Sequence, residues 1–483
     1  MTIDDLIALS PLIAVASAAV ALMLLIAFYR DARAALICSL IGIAVAFATL
    51  PVAAARSPRQ ITPLLILDRY ALFYLGLLFT ASFAVALIAE GYLDRLGGEP
   101  EEFYLVSLLA TVGAATLVMS AHFASFFLGL EILSVSLYVL IAYPNRSAGS
   151  SARGVEAGIK YLILAAASAA FTLFGMALIY AELGTMEFGR MASSMAGGGA
   201  RRELLLAGQA MIFVGVGFKL AVAPFHVWAP DVYEGAPAPV TAFIATVSKG
   251  AVFALLVRYF ANLGDEVFQT FFPALAAIAV ASMFVGNLLA LAQNNVKRIL
   301  AYSSIAHFGY LLVAFLAGGS LGATAVAFYL VAYFVTNLIA FGVVAVLSGR
   351  READELEDYR GLFWRRPWLA TIFLTALLSL GGIPLTAGFM GKFYVLMAGV
   401  RSALWLLAII MTVNTMISFY YYLRVAFMMF RDAPEREAAT GGPPSLSFIG
   451  AAALAVLTLS LVWIGVYPGP LVQTIRSMVA DLR

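Results

Sequence analysis

The chain has 483 residues, of which 63% are apolar and 12% charged, with a net charge of +2 and a mean hydropathy of +0.97. Soluble domains are about 45–50% apolar and about 25% charged, so a water-soluble globular enzyme is excluded. The small net charge argues against nucleic acid as a partner, and the composition points to the lipid bilayer.

Long apolar runs, such as Leu12–Phe28 and Ile449–Val466, favour membrane helices over the alternating strands of a transmembrane barrel. The expected fold is an all-α polytopic membrane protein. A crossing helix needs about 20 mostly apolar residues. That length predicts fourteen spans, over 6–29, 34–55, 70–90, 103–120, 122–143, 155–182, 203–228, 240–261, 268–292, 297–317, 320–348, 368–399, 403–430 and 446–468. The N-terminus is acidic (Asp4, Asp5) and has no basic stretch before the first span. The first span is therefore expected to be kept rather than cleaved as a signal peptide.

Loop charge sets the expected orientation. Odd-numbered loops and their flanks carry fifteen Lys and Arg, against ten in the even loops and termini. Basic loops stay in the cytoplasm. Both termini then lie on the outer side of the membrane. The loop Gly184–Arg202, rich in Gly, Ser and Met, reads as a flexible outer connector. Gly349–Pro367 mixes Arg with acids and reads as a solvated cytoplasmic one.

The chemistry is narrowed by absences. There is one cysteine, Cys38, and the three histidines, His122, His226 and His307, are far apart. One thiol cannot hold an iron–sulfur cluster or a Cys-rich zinc site. No phosphate-binding or dinucleotide-binding glycine motif is present. No cofactor or metal is expected in this chain.

Four of the five lysines, Lys160, Lys219, Lys249 and Lys392, fall within predicted spans, as does Glu131. An ionisable group costs at least about 2.5–3.5 kcal/mol at mid-membrane and usually marks an ion path. Glu131 lies nine residues into its span, roughly 13 Å deep at the helical rise. Quieter readings stand beside this one. Glu131 and a lysine could form a static pair, and Lys160 could snorkel to the interface. Lys219 and Lys392 could only satisfy freed carbonyls. His307, near Tyr302, Ser303 and Ser304, could be a packed core histidine.

Helix breaks add a second signal. Span seven carries Pro224, Pro230, Pro237 and Pro239 around Lys219 and His226, and span twelve carries Gly381, Gly382 and Pro384 before Lys392. Proline removes a backbone donor. Irregular backbone at membrane depth survives only inside protein or along a wet cavity. Paired broken helices point to internal repeats around an ion site. The expected organisation is 1–102 (spans one to three), 103–261 and 268–430 (two inverted five-helix repeats) and 446–483 (span fourteen and tail). A lysine in low dielectric can give up its proton, and a nearby carboxylate holds that proton in place. A movable Glu131 beside Lys219 could therefore bind and release protons, with Lys249, His307 and Lys392 as later sites.

The Gly129-Leu-Glu131 span, the Lys219 to Pro237 segment, Tyr302 to Tyr310 and Gly382 to Tyr394 resemble the antiporter-like subunits of respiratory complex I. The resemblance covers nearly the whole chain. It is strongest to the N subunits of bacterial NADH–quinone oxidoreductase, with Mrp-type cation/proton antiporter subunits as the alternative. It implies a proton relay of Glu131, Lys219, Lys249 and Lys392, with His307 and Lys160 carried over less directly, and functional breaks at Pro224 and Pro384. It also implies that FMN, iron–sulfur clusters and quinone sit in partner subunits. The K and M subunits and the lateral helix of subunit L would be neighbours.

Overall fold

The computed structural model describes residues 2–96, 99–143, 150–196, 201–348, 353–432 and 448–481. Among them, thirteen helices are long and apolar enough to cross a membrane. In chain order these are Ser10–Phe28, Ala32–Ala54, Arg69–Arg95, Glu101–Met119, Phe123–Ile141, Ala152–Leu183, Arg202–Leu220, Ala238–Ala261, Val267–Leu291, Val296–Ala317, Gly319–Leu347, Trp405–Phe430 and Ile449–Val466. They match the predicted spans other than the twelfth, which has the predicted interruption and is two shorter helices, Pro367–Gly381 and Ala387–Arg401. Residues 446 and 447, the expected start of span fourteen, lie outside the described residues, as do Arg146, Arg350, Arg351, Arg436 and Arg483 among the counted loop charges.

Burial falls from the centre outwards. Spans eight and ten are wholly buried through their apolar windows and span eleven is 89% buried, while spans one, two and six are only 28–33% buried. The outer helices turn residues such as Val20, Leu24, Ile37, Ile41, Ile163 and Phe174 outwards, where hydrocarbon suits them. The central column has no such face.

Glycine allows some helices to touch backbone to backbone. A Cβ on Gly113 would fall 2.6 Å from the Leu133 nitrogen, and one on Gly129 would fall 3.1 Å from the Gly113 carbonyl. Spans four and five therefore cross at van der Waals contact, as small-residue interfaces in membranes do. Spans nine and ten do the same: a Cβ on Gly286 would lie 2.6 Å from the Ala306 nitrogen.

Several connecting segments are more ordered than their composition suggests. Phe188–Ala196, within the expected flexible connector, is a helix with Phe188 and Met191 buried. Its start is tied down by the Phe188 amide donating to Ala121. Apolar residues spaced three apart gave it a face to bury, so the glycine-rich reading is corrected for this part; residues 197–200 lie outside the described set. The Gly349–Pro367 loop is corrected similarly. Asp354 is buried and pairs with Lys297 at 3.1 Å, and Tyr359 is fully buried. A buried amine needs a counter-charge, and this loop supplies it; residues 349–352 are outside the described set. A small hairpin, Arg59–Thr62 with Leu65–Leu67, precedes span three. After the last span, Gly469–Val479 forms a helix that lies against spans three and eleven.

One buried ion pair ties span three to span eight. The Arg258 guanidinium donates twice to Asp68, at 2.7 and 2.8 Å, and both side chains are about 5% exposed. Tyr70 lies under the guanidinium at 4.8 Å. Asp68 also accepts from the Ala71 amide at the start of span three. Removing one partner of such a pair leaves a charge buried alone, which costs about 3–5 kcal/mol. Asp68→Ala is expected to lower the thermal midpoint of the detergent-solubilised protein sharply. The double change Asp68→Ala, Arg258→Met should recover most of the loss, since no charge is then stranded. Equal midpoints for the single and double variants would show that the pair does not act this way.

Candidate functional site

Three lysines and a histidine lie in the buried interior: Lys219, Lys249, His307 and Lys392, each at most 5% exposed. Among the described residues, none of these amines has a carboxylate within ion-pair distance. Their partners are hydroxyls, carbonyls and aromatic faces.

Lys219 is the next-to-last residue of the Arg202–Leu220 helix. Ala221 then takes a left-handed conformation, φ 56°, which is strained for a residue with a Cβ. The chain crosses Pro224 and re-enters helix at Trp228. The freed ends are satisfied locally: the Trp228 indole donates to Phe218 O at 2.8 Å, and Ser282 Oγ accepts from the Ala223 amide. The Lys219 amine donates to Ser134 Oγ at 2.6 Å and to the Tyr161 hydroxyl at 3.1 Å. Ser134 lies three residues beyond Glu131 on span five. Glu131 itself is half-buried, and its Oε1 is shielded from solvent without a hydrogen-bond partner. The sequence predicts a Glu131–Lys219 pair; in this structure the two share a neighbourhood without an ion pair.

Lys249 begins the last part of span eight, directly after a π-helical turn, Ile244–Ser248. Such turns recur at functional sites. The Lys249 amine donates to Ser304 Oγ at 2.7 Å and lies 4.9 Å from the Phe308 ring centroid. Ser304 also accepts from the Tyr333 hydroxyl at 2.8 Å. Gly250 leaves room for Phe334, whose ring would meet a Cβ there at 2.2 Å.

His307, three residues beyond Ser304 on span ten, has hydroxyl partners on both ring nitrogens, Tyr329 at 2.7 Å and Tyr422 at 3.2 Å. Lys392 follows the second break. Gly382 ends the first half of span twelve with φ 89°, and Thr386 caps the second half by accepting from Phe389 N. The Lys392 amine reaches back to donate to Leu380 O and Gly381 O at 2.7 and 2.9 Å. These are carbonyls the break has freed. Pro384 lies inside the linker, as Pro224 does in span seven.

Lys160 is placed differently. It is 45% exposed and pairs with Glu156 at 2.8 Å and Asp231 at 2.9 Å. Asp231 and Glu234 both also bind Arg298 at 2.8 Å. Burial works against the Asp231 charge, but hydrogen bonds from Lys160 and Arg298 outweigh it and hold the carboxyl below the usual carboxylate range. Lys160 thus belongs to an ionic network at the end of the bundle. Lys297, which the sequence assigns to a loop flank, is buried as well, beside Asp354. His226 lies in the first break with Nδ1 shielded and without a partner, and His122 caps span five through the Ala124 amide. Among the described residues, no three His, Cys, Asp or Glu side chains are grouped to hold a metal.

The sequence reading missed Ser134 and Tyr161, which hold Lys219, Tyr333, which bonds Ser304, and Tyr329 and Tyr422, which hold the His307 ring; Ser304 was placed beside His307 but not with Lys249. Part of the signal was available. Tyr329 and Tyr333 are four apart on span eleven, and so share one face.

A family model described as NADH:quinone oxidoreductase/Mrp antiporter, TM, matches residues 120–418. The chain is 52% identical to NADH-quinone oxidoreductase subunit N of Nitrosospira multiformis, covering 98% of this chain and 96% of that one. The corresponding protein of Methylococcus capsulatus is 47% identical, with 99% and 96% covered. Among solved structures, a chain of respiratory complex I from Thermus thermophilus with bound aureothin superposes with TM-score 0.81 at 33% identity, covering 96% and 98%. A chain of the Mrp complex from Dietzia sp. DQ12-45-1b gives TM-score 0.87 at 20% identity, covering 100% and 98%, a likeness of fold alone.

Proposed function

The chain belongs to the subunit N family of NADH–quinone oxidoreductases, and from that membership we propose that it carries protons across the membrane as part of the membrane arm of the complex. Quinone reduction in other subunits drives the transfer. FMN, iron–sulfur clusters and quinone are held by those subunits. The neighbours are subunits K and M and the lateral helix of subunit L. Both termini face the periplasm of the bacterial inner membrane.

One observation supports this reading above the rest: three buried amines held by neutral oxygens, with no carboxylate in ion-pair contact among the described residues. A fixed structural charge would be expected beside its counter-ion. An amine held by hydroxyls and carbonyls can exist charged or neutral, and passing between those states moves a proton. Glu131 is the modulator. Brought close to Lys219, its carboxylate stabilises the ammonium by Coulomb attraction. Drawn back, it leaves the amine to pass its proton on through Lys249 and His307 to Lys392, with water carrying it between the hydrogen-bonded groups. Lys160, with Asp231, sits at the cytoplasmic intake.

Two inverted repeats, 103–261 and 268–430, account for the plan. Supporting them are the glycine crossings of spans four with five and nine with ten, five spans apart, and the breaks of spans seven and twelve, also five apart.

Three outcomes are expected. Purified in mild detergent, the chain should bring flavin and iron–sulfur absorbance with it. Sodium/proton exchange by the isolated chain would instead favour an Mrp-type antiporter. Lys219→Ala and Glu131→Ala should leave the complex assembled on native gels but lower proton pumping in inverted vesicles by roughly tenfold or more, the scale of losing a positioned acid–base group. Wild-type stoichiometry in either variant would refute the relay. Lys249→Arg keeps the charge but cannot release a proton. It should assemble and fail to pump, whereas normal pumping would make Lys249 a fixed charge.

A further inference from the structure

Span thirteen keeps an outward apolar face, on which Ile409, Met416, Tyr420 and Phe427 are exposed. At the C-terminal end of the span this face runs into an open recess of about 960 Å³, lined by Arg424, Arg431, Glu355 and Glu357 beside Tyr420 and Phe427. Tyr420, Arg424, Phe427 and Arg431 follow one another at intervals of four, three and four, so they share one side of the helix. Phe430, at the rim, accepts from the exposed Trp364 indole through its carbonyl. Tryptophan gathers where lipid meets water.

Among the described residues the recess charges are not paired with one another. Arg424 donates to Leu291 O and Gln293 O, at 3.2 and 3.0 Å, and to Asn294 Oδ1. Those oxygens are neutral and occupy three of its five N–H groups. Arg431 is exposed and has no acid within ion-pair distance among the described residues. Glu357 lies 3.8 Å from Arg360, outside the recess lining, and Glu355 caps the turn that follows it. Guanidinium groups bind phosphate, and carboxylates attract an ammonium while repelling a second anion. The apolar helix face below suits hydrocarbon.

We propose that this recess seats one phospholipid with an ethanolamine headgroup. Its phosphate lies on Arg424 and Arg431, its amine points to Glu355 and Glu357, and an acyl chain follows Phe427, Tyr420 and Met416. A primary ammonium donates three hydrogen bonds, as a lysine does, whereas a quaternary choline has no N–H to donate. A headgroup without a cation would leave the two carboxylates facing its phosphate. Arg424 already holds the end of span nine, so the bound phosphate joins that end to span thirteen and to the Glu355 turn. Proton carriage plays no part in this binding.

The test uses the assembled complex in vesicles of equal parts dioleoyl phosphatidylethanolamine, phosphatidylcholine and phosphatidylglycerol, with photoreactive p-benzoylphenylalanine in place of Phe427. After irradiation, the adducts are identified by mass spectrometry. The ethanolamine lipid is expected roughly tenfold above its share of the bilayer, the scale of one hydrogen bond to a charged group. Arg431→Gln and Glu355→Gln should each return it towards that share while native gels show an intact complex. Adducts in bilayer proportion would mean ordinary boundary lipid, an excess of the glycerol lipid a plain anion site, and an adduct with another polypeptide a protein interface. Each of these overturns the proposal, as does an enrichment that neither variant lowers. Should the benzoyl variant fail to assemble, the complex without it is extracted from the same vesicles in mild detergent and its retained lipids are counted. About one ethanolamine lipid more per complex than in Arg431→Gln supports the site, and equal counts overturn it.

Discussion

An amine carried into a hydrocarbon interior must find oxygen lone pairs within the protein, and the rest of this architecture is arranged around that need. An unbroken helix has no unpaired backbone oxygen, since each carbonyl already accepts from the amide four residues on. Lys392 has two only because span twelve stops at Gly381 and leaves Leu380 O and Gly381 O open. Lys219 stands at the end of its own helix, where Trp228 has already taken the Phe218 carbonyl, and so draws on Ser134 and Tyr161. Lys249 lies in a continuous span and relies on Ser304 alone for a hydrogen bond, with the Phe308 and Tyr233 rings beside it.

The burial gradient follows from the same requirement. Spans eight, ten and eleven carry Lys249, Ser304, His307, Tyr329 and Tyr333, and they are the most enclosed helices. Spans one, two and six hold none of the buried amines and keep apolar faces turned outwards. Polar groups are thus gathered onto helices that touch only other helices. The outer ones shield them from the bilayer, and the glycine crossings of spans four with five and nine with ten hold the layers close.

What the sequence made legible was whatever is local along the chain. Apolar length gave the spans, lysine in an apolar run gave Lys219, Lys249 and Lys392, and proline and glycine gave the two breaks. What it concealed was pairing across distance. Ser134 meets Lys219 from 85 positions away, and Tyr422 meets His307 from 115. Neither serine nor tyrosine stands out in an apolar helix, because each can be satisfied by its own backbone or by packing. Two further lysines show the limit from both sides. Lys160 lies in an apolar run of span six, and the acids that pair with it are Glu156 on its own helix and Asp231 from beyond the first break, which the run does not show. Lys297 looked like a loop charge, yet Asp354, from a segment that reads as solvated, lets it be buried.

The π-helical turn before Lys249 holds one residue more than an α-helical turn would. A turn closed by i→i+5 bonds absorbs its extra residue, so the helix on either side keeps its phase and the Lys249 amine faces Ser304. Deleting one residue from it would heal the helix with that facing nearly unchanged, whereas closing the turn as α-helix with every residue kept would rotate the amine by about 100° around the axis. The direction of this group is therefore encoded in how one turn closes as much as in its chemistry.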